Sequence, residues 1–172
     1  MSLENDLKKN IENFMQNQVV LMPENIPTGP QKVSFESQGE HACLLIKKKS
    51  GVKADCLQPL PNQRNRYQLT GKSDYFFTPN MNGCQLAIYK LANGQTWVEH
   101  HNDFDEHHTF HEYIIQIDQL HPVKSYIFTP DEHYDPMKGL MAIGQRTPKG
   151  WCLWIRSNVA ANEGPVVSFN VW

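Results

Sequence analysis

A chain of 172 residues is long enough for one domain with a substantial core and too short for two. Hydrophobic residues make up 40% and charged residues 20%, which excludes a disordered chain. The net charge of -2 gives no global pull toward nucleic acid or an anionic membrane, and no apolar run nears the roughly 20 residues of a spanning helix.

The N-terminus, MSLENDLKKNIENFMQ, is charged and periodic and lacks the apolar stretch of a signal peptide. The expectation is therefore either export by a non-classical route into a host cell or residence in the bacterial cytoplasm. Leu3, Leu7, Ile11, Phe14 and Met15 recur at helical spacing behind Ser2, a good N-cap, and predict a helix over residues 3–17. Pro23, Pro27 and Pro30 break any continuation. From about residue 31 the chain reads as short strands at 32–37, 42–48, 66–69, 84–90, 96–101, 112–118, 123–129, 139–145, 151–157 and 166–172. Gly, Pro, Asn or Asp separate them. About ten strands behind one helix predict a mainly β (α+β) fold, a single β-sandwich domain over residues 1–172.

The cysteines are Cys43, Cys56, Cys84 and Cys152. No CxxC pair is present, so neither a zinc ribbon nor a redox motif is supported, and free thiols are expected. Cys43 and Cys152 lie inside apolar strands and read as inert. Cys56 follows a charged loop and is expected to be exposed, with no histidine nearby in sequence to activate it.

Cys84 has a different setting. It follows Asn82 and Gly83 and opens the strand CQLAIYK, which turns through Asn93-Gly94 into TWVEHH. Asn-Gly is a strong signal for a two-residue type I′ hairpin. A tight turn with Ala92 opposite Gln95 pairs Lys90 with Trp97, Leu86 with His101 and Cys84 with Asp103. Cys84 and His101 then share a face as diagonal neighbours, and His100 points away. A bulge or a three-residue turn exchanges the two histidines, so His100 stands as the alternative base.

A thiolate is the nucleophile in cysteine chemistry, and a neighbouring imidazolium lowers the thiol pKa toward neutrality. The imidazole then serves as general acid and base. Backbone N–H groups at Asn82, Gly83 and Cys84 are candidates to hold an oxyanion, with glycine permitting close approach. Thr78, six residues before Cys84, is a candidate to orient the base.

The stretch N-G-C, an apolar strand, a Gly-containing turn and a strand ending V-x-H-H together resemble the catalytic hairpin of the cytotoxic necrotizing factor and Burkholderia lethal factor-like glutamine deamidases. The likeness covers residues 78–101; Asn82 stands where the family more often has Ser, and the doubled histidine is a second departure. The resemblance implies a β-sandwich toxin that hydrolyses a protein glutamine to glutamate, with transglutamination as a side activity. It implies Cys84 as nucleophile, His101 as acid/base and Thr78 as orienter. It also implies a host protein substrate such as a small GTPase or a translation factor, and no cofactor. With the composition, this predicts a monomer that engages neither nucleic acid nor membrane.

Other readings carry their own residues. A cysteine protease would use the same dyad. The segment HHNDFDEHHTFHEY (100–113) sets His107 and His111 four apart, and Asp103, Asp105 or Glu112 would complete a metal site in a cupin-like fold. HExxH and H-x-H spacings are absent, and the segment reads as a loop entering a strand. A third reading is a non-catalytic interaction domain with a structural Cys84. Trp151, Trp154 and Trp172 read as core or sheet-face residues, and KKKSGVK (47–53) as a solvated basic turn.

Overall fold

The computed structural model describes residues 2–102 and 110–172. Two short helices, α1 (Leu3–Lys9) and α2 (Ile11–Asn17), come first. They lead to β1 (Val19–Leu21), β2 (Gly29–Ser37), β3 (Ala42–Lys47), β4 (Val52–Cys56), β5 (Arg64–Leu69) and β6 (Tyr75–Phe77). Next come β7 (Gln85–Lys90), β8 (Thr96–His101), α3 (Phe110–Asp118), β9 (Lys124–Phe128), β10 (Leu140–Thr147), β11 (Gly150–Ser157) and β12 (Val166–Val171). An eight-stranded mixed sheet runs β1-β3-β2-β4-β6-β10-β11-β12, and a four-stranded antiparallel sheet runs β5-β8-β7-β9.

The mainly β expectation holds, and burial arranges the elements in four layers. Leu7, Ile11, Phe14 and Met15 of the N-terminal helices pack on one face of the large sheet, against Phe35, Leu45 and Phe77. The opposite face presents Phe76, Ala142 and Leu153 to Leu86, Ile88 and Val98 of the small sheet. On the outer side of the small sheet, Ile117 of α3 packs with Ala87 and Tyr89. β7 is thus covered on both faces, which explains five consecutive buried residues where a half-buried strand would alternate.

Three differences from the sequence expectation have physical causes. The N-terminal helix divides at Asn10, whose extended backbone ends α1 and whose Oδ1 accepts from Asn13 N at 3.0 Å to cap α2. Residues 112–118, expected as a strand, form α3. Tyr113 and Ile117 are its buried residues, four apart on one helical face, and this packing overrides the β-branched run. Strands β1, β4 and β6 were not anticipated; β6 is three residues long and wholly buried, so it shows no alternation.

All four cysteines are free and buried. Cys56 is therefore not exposed, and burial pushes its thiol up to about 12, with the Asp55 charge adding to the effect. Trp151 is in the core as expected, whereas Trp172 is 40% exposed.

Candidate functional site

The β7–β8 turn decides which histidine meets Cys84. Leu91 N donates to Gln95 O and Gly94 N to Leu91 O, both at 2.9 Å, which closes a three-residue loop with Gly94 at φ 85°. Asn93 keeps a negative φ, and its Oδ1 accepts from Gln95 N at 3.0 Å instead of entering a type I′ turn. The register moves by one residue: Gln85 pairs with His101, Leu86 with His100 and Ala87 with Glu99. The expected Leu86–His101 pairing is corrected, and the faces exchange. His100 lies with Leu86 on the face toward Cys84, and His101 lies on the outer face beneath α3.

Continuing that register sets Cys84 opposite Asn102, whose Oδ1 lies 3.2 Å from Cys84 Sγ. His100 is two residues back along β8, hence the diagonal neighbour of Cys84, with Cβ atoms about 7 Å apart. Thr78 reaches the same ring: its Oγ1 lies 2.9 Å from His100 Nδ1. The threonine hydroxyl donates to Leu57 O at 3.0 Å, so its lone pair accepts from Nδ1–H. This fixes the tautomer and leaves Nε2 unprotonated. Nε2 is buried and, among the described residues, has no hydrogen-bond partner.

The electrostatics differ from a thiolate–imidazolium pair. Burial, reinforced by the positive charge of His101, pulls His100 down to about 4. Burial pushes the Cys84 thiol up to about 11. The resting pair is therefore neutral, with the thiol proton directed to Asn102 and the imidazole held as a ready base.

The loop before Cys84 is held by a residue that sequence reasoning missed. Tyr134, between β9 and β10, accepts from Gly83 N at 3.1 Å and donates to the Cys84 carbonyl at 2.5 Å. Gly83 has φ 129°, which suits glycine alone. Since Gly83 N–H bonds to Tyr134, the oxyanion donors remaining in this loop are the N–H groups of Asn82 and Cys84. Met81 anchors the same loop through paired bonds of 2.8 Å to Leu140. No signal near Cys84 points to Tyr134, fifty residues away; Asn102 follows from the corrected register.

His101 belongs to a separate buried network. Its Nε2 lies 2.8 Å from Glu99 Oε2 and its Nδ1 2.6 Å from Gln85 Oε1. Both nitrogens face acceptors, so the ring donates from both and is an imidazolium. Glu99 also accepts from Arg64 Nε and Nη2, each at 2.7 Å, and from the Tyr89 hydroxyl at 2.5 Å.

The metal alternative rests on His107 and His111 with Asp103, Asp105 or Glu112; Asp103, Asp105 and His107 lie outside the described residues, and His111 and Glu112 lie in α3. Among the described residues no three His, Cys, Asp or Glu side chains gather as a metal set.

Two substitutions test the positioning of this site. Thr78→Val leaves Nδ1–H of a buried ring unpaired, and Tyr134→Phe releases the Gly83–Cys84 step. Under the enzymatic reading proposed below, each is expected to lower kcat about 100-fold, with KM changed little, since small misplacements of reacting groups carry effects of that size. A rise in KM with kcat intact would contradict both roles. In comparisons with known proteins, no family model matches the chain, and the search of curated proteins returned no match.

Proposed function

We propose that the protein is a cysteine-dependent glutamine deamidase acting on protein side chains, with Cys84 as nucleophile and His100 as acid/base. The observation that carries this reading is the Thr78–His100 bond, which leaves an unprotonated Nε2 on the face Cys84 shares. A thiol, an oriented imidazole and a third group that fixes the tautomer make up the arrangement of nucleophilic amide hydrolysis. The hairpin likeness to the necrotizing-factor deamidases adds the substrate: a glutamine of a host protein such as a small GTPase or translation factor.

Cys84 Sγ attacks the carboxamide carbon as its proton passes to His100 Nε2. In this reading the N–H groups of Cys84 and Asn82 are the donors to the developing oxyanion. Nε2–H then protonates the departing nitrogen, and ammonia leaves a thioester on Sγ. Water, deprotonated by Nε2, attacks the thioester and releases glutamate and the thiol. An amine in place of water gives the transglutaminated product. Because both groups rest neutral, proton transfer accompanies attack instead of preceding it.

The test is incubation of the wild-type protein and Cys84→Ala with eukaryotic cytosolic extract, followed by peptide mass spectrometry and ammonia measurement. The expected result is a glutamine converted to glutamate without chain cleavage, absent with Cys84→Ala, and ammonia in equal amount. Backbone cleavage dependent on Cys84 would establish the protease instead. No conversion and no cleavage would overturn the enzymatic reading.

A further inference from the structure

The net charge of -2 conceals an uneven distribution. Three neighbouring clefts lie at the end of the sandwich remote from Cys84. The first, of about 380 Å³, is lined by Lys32, Lys47, Lys48 and Lys49 alone. The second, of about 340 Å³, shares Lys32 and adds Lys53 and Lys72. The third, of about 490 Å³, begins beside Lys72 at Gly71 and adds Lys90, Arg146 and Lys149. Nine of the chain's 16 lysines and arginines line these clefts, and among the described residues no aspartate or glutamate does.

Strand register adds an independent observation. Lys32 is directly opposite Lys53 on the β2–β4 pair, and Lys90 is directly opposite Lys124 on the β7–β9 pair. Like charges facing across a ladder destabilise it. Among the described residues, only Arg146 of the nine has an ion-pair partner, Asp74 at 3.0 Å; Glu4 feels the charge of Lys48 without pairing to it. Lys124 rests over the Tyr126 ring, 5.5 Å from its centroid, whereas Lys32 and Lys53 are exposed with no acidic partner among the described residues, and their repulsion is what an external polyanion would relieve.

We propose that this basic end docks on an anionic phospholipid surface. The chemistry of the cations favours a bilayer over nucleic acid. Eight of the nine are lysines, hydrated point charges on flexible stems that suit a diffuse surface potential. The arginine fork that grips phosphates is engaged by Asp74 and by Ser73 O. The clefts offer no exposed ring on which a base would stack, since their one aromatic residue, Trp151, is buried. Val123, 61% exposed and bonded through its N–H to Lys90 O, supplies an apolar contact at the same end. β7 sets the orientation: Lys90 ends it and Cys84 precedes it, about 20 Å apart along the strand. Docking at the lysines points the Cys84 loop into the aqueous phase, toward a target at the membrane. The expectation of a protein indifferent to membranes came from net charge, which averages this end away.

Co-sedimentation with phosphatidylcholine vesicles, with and without about 30% phosphatidylserine, tests the proposal at about 50 mM and 300 mM salt. The wild-type protein is expected to sediment with the anionic vesicles only, and to be released at the higher salt. The triple variant Lys32→Glu, Lys53→Glu, Lys72→Glu is expected to bind at least a hundredfold more weakly, because each basic side chain near the leaflet multiplies partitioning several-fold. Lys8→Glu, Lys9→Glu, Lys138→Glu makes the same change of net charge elsewhere and is expected to bind like the wild type. Circular dichroism confirms that both variants fold. Failure of the wild type to bind anionic vesicles overturns the proposal, as does equal loss in the control variant. Retardation of duplex RNA without vesicle binding would assign the surface to nucleic acid and overturn it too. None of these outcomes depends on Cys84 chemistry.

Discussion

Replacing His100 with alanine is expected to lower kcat/KM for glutamine hydrolysis about a thousandfold, while His101→Ala leaves most of the activity in whatever fraction remains folded. The register argues it: His100 faces Cys84 from the diagonal position, whereas His101 faces α3. A positioned general base contributes about 10²- to 10⁴-fold, and in the proposed mechanism it accepts the thiol proton at the moment of attack. The pH profile separates this from a preformed thiolate. His100 must be neutral to act, and burial with the neighbouring imidazolium holds it at about 4. Activity is therefore expected to be flat from about pH 6 to 9 and lost only as pH falls through that low value. Alkylation of Cys84 by iodoacetamide should show no plateau near neutrality, since its thiol is held at about 11. Removing the charge of His101, in His101→Gln, is expected to move the acid limb upward, because that charge helps hold His100 low. Loss of activity in His101→Ala, with His100→Ala active, would reverse the assignment of the base.

The sequence carried the hairpin, the nucleophile candidate and the threonine, because each is a local signal. Thr78 and Cys84 lie six residues apart in one loop, and Asn93-Gly94 marks a turn without ambiguity. The turn's length was not legible: the Asn93 side chain bonds to Gln95 N, Gly94 takes the positive φ alone, and one added residue exchanges the faces of two adjacent histidines. Likewise Tyr113-Ile-Ile-Gln-Ile117 has strand-favouring residues, and only the surface of Ala87 and Tyr89 selects the helix. Tyr134 was out of reach because its bonds to Gly83 and Cys84 are purely tertiary. The basic end was legible only in part: KKKSGVK marks Lys47, Lys48, Lys49 and Lys53, but Lys32, Lys72, Lys90, Arg146 and Lys149 are scattered along the chain, and only the tertiary fold sets them beside that turn.

Glu99→Ala is expected to destabilise the fold by about 3–5 kcal/mol, read as a shift of the urea midpoint, because it takes a buried carboxylate away from one buried and two partly exposed cations. Glu99 is fully buried and joins His101, Arg64 and Tyr89; Arg66 Nε is also 3.2 Å from its Oε1. Arg64 and Arg66 are partly exposed and can regain water, but His101 is fully buried and cannot. The main penalty therefore falls on His101, on the strand that holds His100 toward Cys84. Removing both charges in Glu99→Gln, His101→Gln is expected to cost less than the sum of the two single changes, since neither leaves the other stranded. Additivity would show that the pair is not coupled. The pH dependence follows with its sign. Burial alone would raise Glu99, but the hydrogen bonds from His101, Arg64 and Tyr89 outweigh it and hold the carboxyl at about 2. A depressed carboxyl gives stability that is complete above its ordinary 4.5 and lost as pH falls toward 2. His100 acts at higher pH: the unfolded chain binds its proton near 6.5 and the folded one only near 4, so stability begins to fall below 6.5. The wild-type protein should lose stability in two steps on acidification, the first absent in His100→Ala and the second absent in Glu99→Gln. A single step unaffected by either change would separate the acid response from this strand.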